Sequence, residues 1–300
     1  MRTKQIGWIG TGLMGLPMAK HLIQAGHKLN IHTRTREKAK ELLELGSTWY
    51  DDAAALAADS DLVITMIGSP KEVEDCYFGE RGIFKTVKPG SIVVDMTTTK
   101  PSLAKTIATE AAARQCKAVD APVSGGQVGA INGSLSIMIG GEKEIVDQLM
   151  PIFQAFGKNM VYQGPAGAGQ HTKLCNQITI AGTLIGVCEG LIYGRKAGLD
   201  LSTMLESISK GAAGCWSLDI LAPKIVKGDM SPGFSVDNFT KDLRIALEEA
   251  DAMKLSLPGL ALVKQLYLTV IAMGHGASGN QALYLAIENV VIWKVKACAC

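Results

Sequence analysis

A mainly parallel α/β sheet followed by an all-helical domain is the fold class that three observations predict for this chain of 300 residues. An apolar strand runs straight into a glycine-rich turn within residues 6–15. Short apolar runs then alternate with helix-like segments as far as residue 163. Beyond a glycine- and proline-rich junction the pattern turns helical almost to the end. Alternation of that kind is the mark of a doubly wound sheet with helices on both faces.

The strand over 5–9 leads into Ile-Gly-Thr-Gly-Leu-Met-Gly, which places G-x-G-x-x-G at Gly10, Gly12 and Gly15. The first glycine permits a tight turn, the second lets backbone approach a pyrophosphate, and the third lets the following helix pack close to the strand. That helix, expected over 13–25 and stopped by Gly26, aims its N-terminal N–H groups at phosphate. With a legible strand before it and helix after it, the motif reads as the dinucleotide cradle of a Rossmann domain, formed by Gly10, Thr11, Gly12, Leu13, Met14 and Gly15.

The second strand, 27–32, ends in Thr33-Arg34-Thr35-Arg36-Glu37-Lys38. An NAD site usually sets Asp or Glu at this strand end for the ribose 2'-hydroxyl, whereas the 2'-phosphate of NADP needs cations and hydroxyls. Thr33, Arg34, Thr35 and Lys38, with no acid at the tip, favour NADP; Glu37 at the helix start leaves NAD as the alternative.

Further strands are expected over 62–67, 91–96, 118–121, 134–139 and 160–163, separated by helices over 36–45, 101–115 and 143–156. The junction Gly-Pro-Ala-Gly-Ala-Gly at 164–169 sets a boundary between a dinucleotide-binding domain, 1–163, and a helical substrate and dimerisation domain, 164–300. A long interdomain helix leads the second part. Gly182, Gly186, Gly190 and Gly194 recur along it every four residues. Each glycine costs about 1 kcal/mol against alanine in a helix interior, so an offsetting close approach of another helix is expected on that stripe.

Net charge is +2 with both signs interspersed, which leaves no electrostatic footprint for nucleic acid or an acidic membrane. Seven cysteines, an odd number without C-x-x-C spacing, read as reduced thiols of a cytoplasmic protein, and Cys298 and Cys300 form no prenylation box. The strand begins too early to leave room for a signal peptide. The apolar run 178–193 is short for a membrane span and carries Glu189, so a buried helix is expected. Five histidines (His21, His27, His32, His171, His275) form no H-x-x-x-H cluster, and no metal is expected. A small-molecule enzyme fits these bounds.

Three further segments carry chemistry. Asp120-Ala-Pro-Val-Ser-Gly-Gly126 follows a predicted strand, so Ser124 Oγ and the N–H groups of Gly125 and Gly126 can form a nest for a substrate carboxylate; an ordinary loop is the alternative. Lys173 and Gln177 are an i, i+4 pair with Asn176 at i+3, so one helix face presents an ammonium beside two amides. A lysine in the first turn of a helix, where this one is expected, opposes the dipole; if buried, its pKa falls and it can donate a proton near neutral pH. Phe239-Thr-Lys241-Asp242 opens a later helix and offers a second lysine, or a plain surface pair.

The glycine loop, Asp120-Ala-Pro-Val-Ser-Gly-Gly126, Gly167-Ala-Gly-x-x-x-Lys173-x-x-Asn176 and Phe239-Thr-Lys241-Asp242 resemble, in order and spacing, the four signatures of the β-hydroxyacid dehydrogenase family, which includes 3-hydroxyisobutyrate dehydrogenases and semialdehyde reductases. The resemblance covers nearly the whole chain. It implies Lys173 as catalytic acid/base, Ser124, Gly125 and Gly126 as the hold on a substrate carboxylate, and Asn176 or Gln177 as orienting groups. It also implies cofactor contacts from Ile67, Thr98 and Lys241, a small carboxylate-bearing aldehyde or hydroxy acid as substrate, and a homodimer or homotetramer. The chain departs from the pattern at Asn176-Gln177, where many members have Asn-Asn, and at Ile67-Gly68, where many have Leu-Pro. An imine reductase-like enzyme and a non-catalytic NADP-binding module share the architecture, but such relatives commonly lack the lysine.

Overall fold

The fold is that of a computed structural model, which describes residues 5–291; Cys298 and Cys300 lie outside the described residues. The chain divides into two compact units, Met1–Leu174 and Cys175–Cys300. In chain order the first unit holds β1 (Ile6–Ile9), α1 (Gly15–Gln24), β2 (Leu29–His32), a tight 3-10 turn (Arg36–Ala39) running into α2 (Lys40–Glu44), β3 (Thr48–Trp49), α3 (Ala53–Ala58), β4 (Leu62–Thr65) and α4 (Pro70–Phe78). It continues with β5 (Ile92–Asp95), α5 (Pro101–Ala113), β6 (Lys117–Asp120), β7 (Val123–Ser124), α6 (Gly126–Ile131), β8 (Leu135–Gly141), α7 (Lys143–Phe153), β9 (Gly157–Gly164) and the start of α8 (Ala168–Lys196).

The nine strands form one sheet in the order β3-β2-β1-β4-β5-β6-β8-β7, with β9 also paired to β8. Pairing is parallel except where β8 meets β6 and β7. Side chains alternate across it: Leu62, Ile64, Ile92 and Val94 join one core with Trp8, Met18 and Phe153, while Val63 and Val93 join the other with Leu56, Tyr77 and Ile107. Both faces are therefore buried, which is why the strands read as continuous apolar runs. Strand order reverses between β1 and β4, opening a crevice at their carboxyl ends where such sheets bind ligands.

Several elements were not expected from the sequence. The two-residue strands β3 and β7 exist through their partners, β2 and β8. Helices α3 and α4 start on side-chain caps: Asp52 accepts from Ala55 N, and Ser69 accepts from Glu72 N with Pro70 in the first turn. The expected helix over 36–45 is split by its 3-10 start, and the helix after the glycine loop begins at Gly15 rather than 13.

The second unit holds the remainder of α8, then α9 (Leu201–Ile208), a π-helical turn (Ser217–Leu221), α10 (Ala222–Val226), α11 (Val236–Ala252), α12 (Pro258–Ala272) and α13 (Leu283–Val291). Gly198, at φ +77°, ends α8 by taking the left-handed conformation open to glycine. Phe239 of α11 meets Tyr267 of α12 edge-on at 5.2 Å. Among the described residues α8 alone has the length and hydropathy to cross a bilayer, but Ala181, Leu184, Cys188 and Leu191 form a buried row on it.

The expectation that a helix of this chain covers the glycine stripe is corrected at three of its four positions. A Cβ on Gly182, Gly186 or Gly190 would meet open space, and only Gly194 is packed, against Met204 and Leu201. At about 100° per residue, a spacing of four advances about 40° around the axis each time, so the stripe winds from the open side to the buried side.

Candidate active site

The glycine loop sits at the reversal point. Gly10 takes φ +102°, its N–H donates to the His32 carbonyl at 2.9 Å, and its own carbonyl accepts from Trp8 Nε1 at 2.8 Å. A Cβ here would collide with the Met66 carbonyl, and one on Gly15 would collide with the Gly10 carbonyl, so both positions are closed to larger residues. Gly12 is the reverse case: its Cβ position faces open space. The Thr11 hydroxyl is buried in the same loop with no partner among the described residues. No side chain among the described residues caps the N-terminus of α1. An open backbone cradle, an orphaned hydroxyl and uncapped N–H groups fit a pyrophosphate. Leu13 is exposed and Met14 half-buried on the same turn.

After β2, Thr33 is half-buried, and Arg34, Thr35 and Lys38 are exposed. Arg34 pairs with Glu72 of α4, a partner not seen in the sequence, at 2.5 Å. After β4, Ile67 donates its N–H to Thr97 Oγ1 at 3.0 Å, which ties it to the loop after β5 that carries Thr98.

Two buried carboxyls organise that edge of the sheet. Asp95, at the end of β5, accepts from Thr65 Oγ1 at 2.8 Å and from Thr97 N at 3.1 Å through Oδ1, and its Oδ2 has no partner among the described residues. Burial pushes its pKa up to about 6, against the hydrogen bonds that favour the charged form. Asp120, at the end of β6, accepts from Gly167 N at 2.7 Å and Gln170 N at 2.8 Å, so a residue far back in the chain caps α8. Its pKa is also raised, by burial first.

Gln170 completes the clamp: its Oε1 accepts from Thr99 N at 3.0 Å and its Nε2 donates to the Thr97 carbonyl at 2.8 Å. One turn further along α8, Lys173 is only 6% exposed. It lies in the second turn of the helix, not the first, which softens the conflict with the dipole. Ser124 ends β7, half-buried opposite Ser136 of β8, and Gly125 (φ +131°) and Gly126 (φ +61°) turn the chain into α6. The first unit thus gathers the glycine loop, Thr33 to Lys38, Ile67, Thr98, Ser124 to Gly126 and Lys173 at the carboxyl edge of its sheet and the start of α8.

Within the second unit, Asn176 Nδ2 donates to Gln177 Oε1 at 2.8 Å, and Gln177 Nε2 donates to Asp242 Oδ2 at 2.6 Å. Asp242 is fully buried and its other oxygen lies 3.0 Å from Lys241 Nζ. The reading of Lys241-Asp242 as a surface pair is therefore excluded. Both ends of the Gln177 amide are thus engaged within this unit, by Asn176 at the oxygen and by Asp242 at the nitrogen. Nothing in the sequence marked Asp95, Glu72 or Gln170 as partners in these links, nor Asp242 as the partner of Gln177, although Asp120, Gln170 and Asp242 sit inside the motifs.

A doubly wound domain with a glycine-loop cradle, followed by a helical domain, defines an NAD(P)-dependent oxidoreductase of two domains. Comparison with known proteins agrees. Residues 5–164 match the NAD binding domain of 6-phosphogluconate dehydrogenase, and residues 167–287 match the NAD-binding domain of NADP-dependent 3-hydroxyisobutyrate dehydrogenase. The chain is 51% identical to the uncharacterized oxidoreductase YkwC of Bacillus subtilis, over 94% of this chain and 98% of that one. It is 48% identical to the 3-hydroxyisobutyrate dehydrogenase-like protein 1 of Arabidopsis thaliana (95% and 86% covered). It is 36% identical to the 2-hydroxy-3-oxopropionate reductase of Escherichia coli (95% and 97%). Among solved structures, the Mycobacterium tuberculosis 3-hydroxyisobutyrate dehydrogenase with L-serine superposes at a TM-score of 0.87 with 26% identity, covering 95% of this chain and 99% of that one. Psf3 in complex with NADP+ and 2-OPP superposes at 0.85 with 27% identity (94% and 99%). The chain belongs to the β-hydroxyacid dehydrogenase family.

Proposed function

We propose that this protein is an NADP-preferring oxidoreductase that interconverts a small β-hydroxy acid of three or four carbons and its semialdehyde, with Lys173 as the general acid/base. The observation that carries this reading is the burial of Lys173 on a helix whose start is fixed by Asp120 and Gln170. The bound nicotinamide supplies or accepts the hydride. Lys173 gives its proton to the carbonyl oxygen as charge develops there, and takes it back in the oxidative direction; a positioned acid of this kind is worth typically about a hundredfold to ten-thousandfold. Ser124 and the N–H groups of Gly125 and Gly126 hold the substrate carboxylate, and Asn176, steadied by Gln177, orients the substrate. Thr33, Arg34, Thr35 and Lys38 receive the 2'-phosphate, and the glycine loop with Ile67, Thr98 and Lys241 holds the rest of the cofactor. A homodimer or homotetramer belongs to the same reading, supported by the open small-residue face of α8 at Gly182, Gly186 and Gly190; sedimentation tests it.

The test of the activity is NADPH oxidation with a panel of small semialdehydes, keto acids and cyclic imines, repeated with Lys173→Ala. Turnover of a carboxylate-bearing semialdehyde is expected, and the variant should lose it while binding NADPH as the parent does. Turnover of cyclic imines alone overturns the substrate class. A variant that keeps more than a tenth of kcat/KM, a loss under about 1.4 kcal/mol in transition-state stabilisation, overturns the role of the lysine.

A further inference from the structure

Strands β2, β1 and β4 are neighbours in the sheet, so the loops after β2 and β4 flank the glycine loop after β1 on its two sides. The ion pair between Arg34 Nη1 and Glu72 Oε1, 2.5 Å long, joins those two flanks. A second, independent feature seats the acid. The Glu72 carboxylate lies against Gly68, where a Cβ would collide with Oε2, so any side chain at position 68 would push the carboxylate away. The Glu72 backbone N–H is separately engaged in the Ser69 cap at 3.3 Å, so the residue is anchored whatever its side chain does.

We propose that Glu72 is a specificity-determining residue for the cofactor: it holds Arg34 in an ion pair that a ribose 2'-phosphate must share or displace, and so tempers the preference for NADP that Arg34 confers. The inference rests on the cofactor reading above. A guanidinium offers five N–H donors, and Glu72 claims one of its nitrogens. A phosphate within reach of Arg34 also lies within a Debye length of the Glu72 carboxylate, about 8 Å at physiological ionic strength, and is repelled by it. Arg34 is 84% exposed on its side chain, so the competition takes place in water and its effect is modest and salt-dependent.

The experiment is calorimetric binding of adenosine 2',5'-bisphosphate and of 5'-AMP to the full chain, for the parent, Glu72→Gln and Gly68→Ala. The ratio of the two affinities isolates the 2'-phosphate. Glu72→Gln is expected to raise that ratio about threefold to fivefold at low salt, the size of an exposed charge pair. The gain should shrink toward nothing at about 0.5 M salt. Gly68→Ala should move the ratio the same way by displacing the carboxylate, and it decides the matter if Glu72→Gln fails to fold. A ratio that stays within twofold of the parent, or falls, overturns the role of Glu72 while leaving the cofactor reading intact. A parent indifferent to the 2'-phosphate overturns the NADP preference; Glu72 keeps its role if Glu72→Gln then gains discrimination, and loses it if neither protein discriminates.

Discussion

Replacing Gln170 by Met keeps a side chain of similar length in a fully buried position and removes both hydrogen-bonding atoms. The Thr99 N–H then loses its acceptor at 3.0 Å and the Thr97 carbonyl its donor at 2.8 Å. Thr97 and Thr99 are themselves buried, so water does not replace the lost partners. An unsatisfied buried group costs about 1–3 kcal/mol, so the pair costs about 2–6 kcal/mol. For a unit of this size that lowers Tm by roughly 5–20 °C, read by thermal unfolding followed by circular dichroism. Because Thr98 lies between the two anchored residues, NADPH affinity measured by fluorescence should weaken in the same variant. Gln170→Glu separates the two bonds: the carboxylate still accepts from Thr99 N but cannot donate to the Thr97 carbonyl until it is protonated. Its deficit should therefore be larger at pH 8 than at pH 5. A Tm within about 2 °C of the parent for Gln170→Met would refute the clamp.

Asp95 makes the stability of the first unit depend on pH. Its pKa is raised from the ordinary 3.8 to about 6, so its contribution is fully present below 3.8 and is lost as pH rises through 6. The full loss amounts to about 3 kcal/mol; Asp95→Asn should gain about 2.5 kcal/mol of it on the parent in urea unfolding between pH 4 and pH 7, and a constant difference across that range refutes the assignment. In the second unit, Gln177→Leu strips Asp242 Oδ2 of its 2.6 Å donor and should destabilise by about 1.5–3 kcal/mol, as for a bond to a charged group. A double-mutant cycle with Asp242→Asn should show coupling above about 0.5 kcal/mol; strict additivity would show that the two side chains act independently.

The parts of this protein legible in its sequence are those set by local rules. Three glycines between an apolar strand and a helix specify the cradle, because each answers a backbone constraint within a few residues: Gly10 needs φ +102°, and Gly15 packs on Gly10. Residue type and spacing likewise bring out Lys173, Asn176 and Gln177 on one helix and the cationic end of β2. Helices α3 and α4 obey the same local rules, since Asp52 and Ser69-Pro70 are ordinary starts, but at 6 and 9 residues they are too short for an apolar period to stand out.

Tertiary structure alone decided the rest. β7 is a strand only because β8 lies beside it, and Asp120 caps a helix that begins 48 residues later. Gln170 finds its partners 71 and 73 residues away, and Gln177 finds Asp242 at 65. The amino acid order does single out these groups as polar, but it does not say which of them will be buried or opposite one another. Periodicity and capping act within about one helical turn. The partner of a buried carboxyl or amide is selected by the cost of leaving it unpaired once the sheet and helices have closed around it, and that cost exists only in the folded chain.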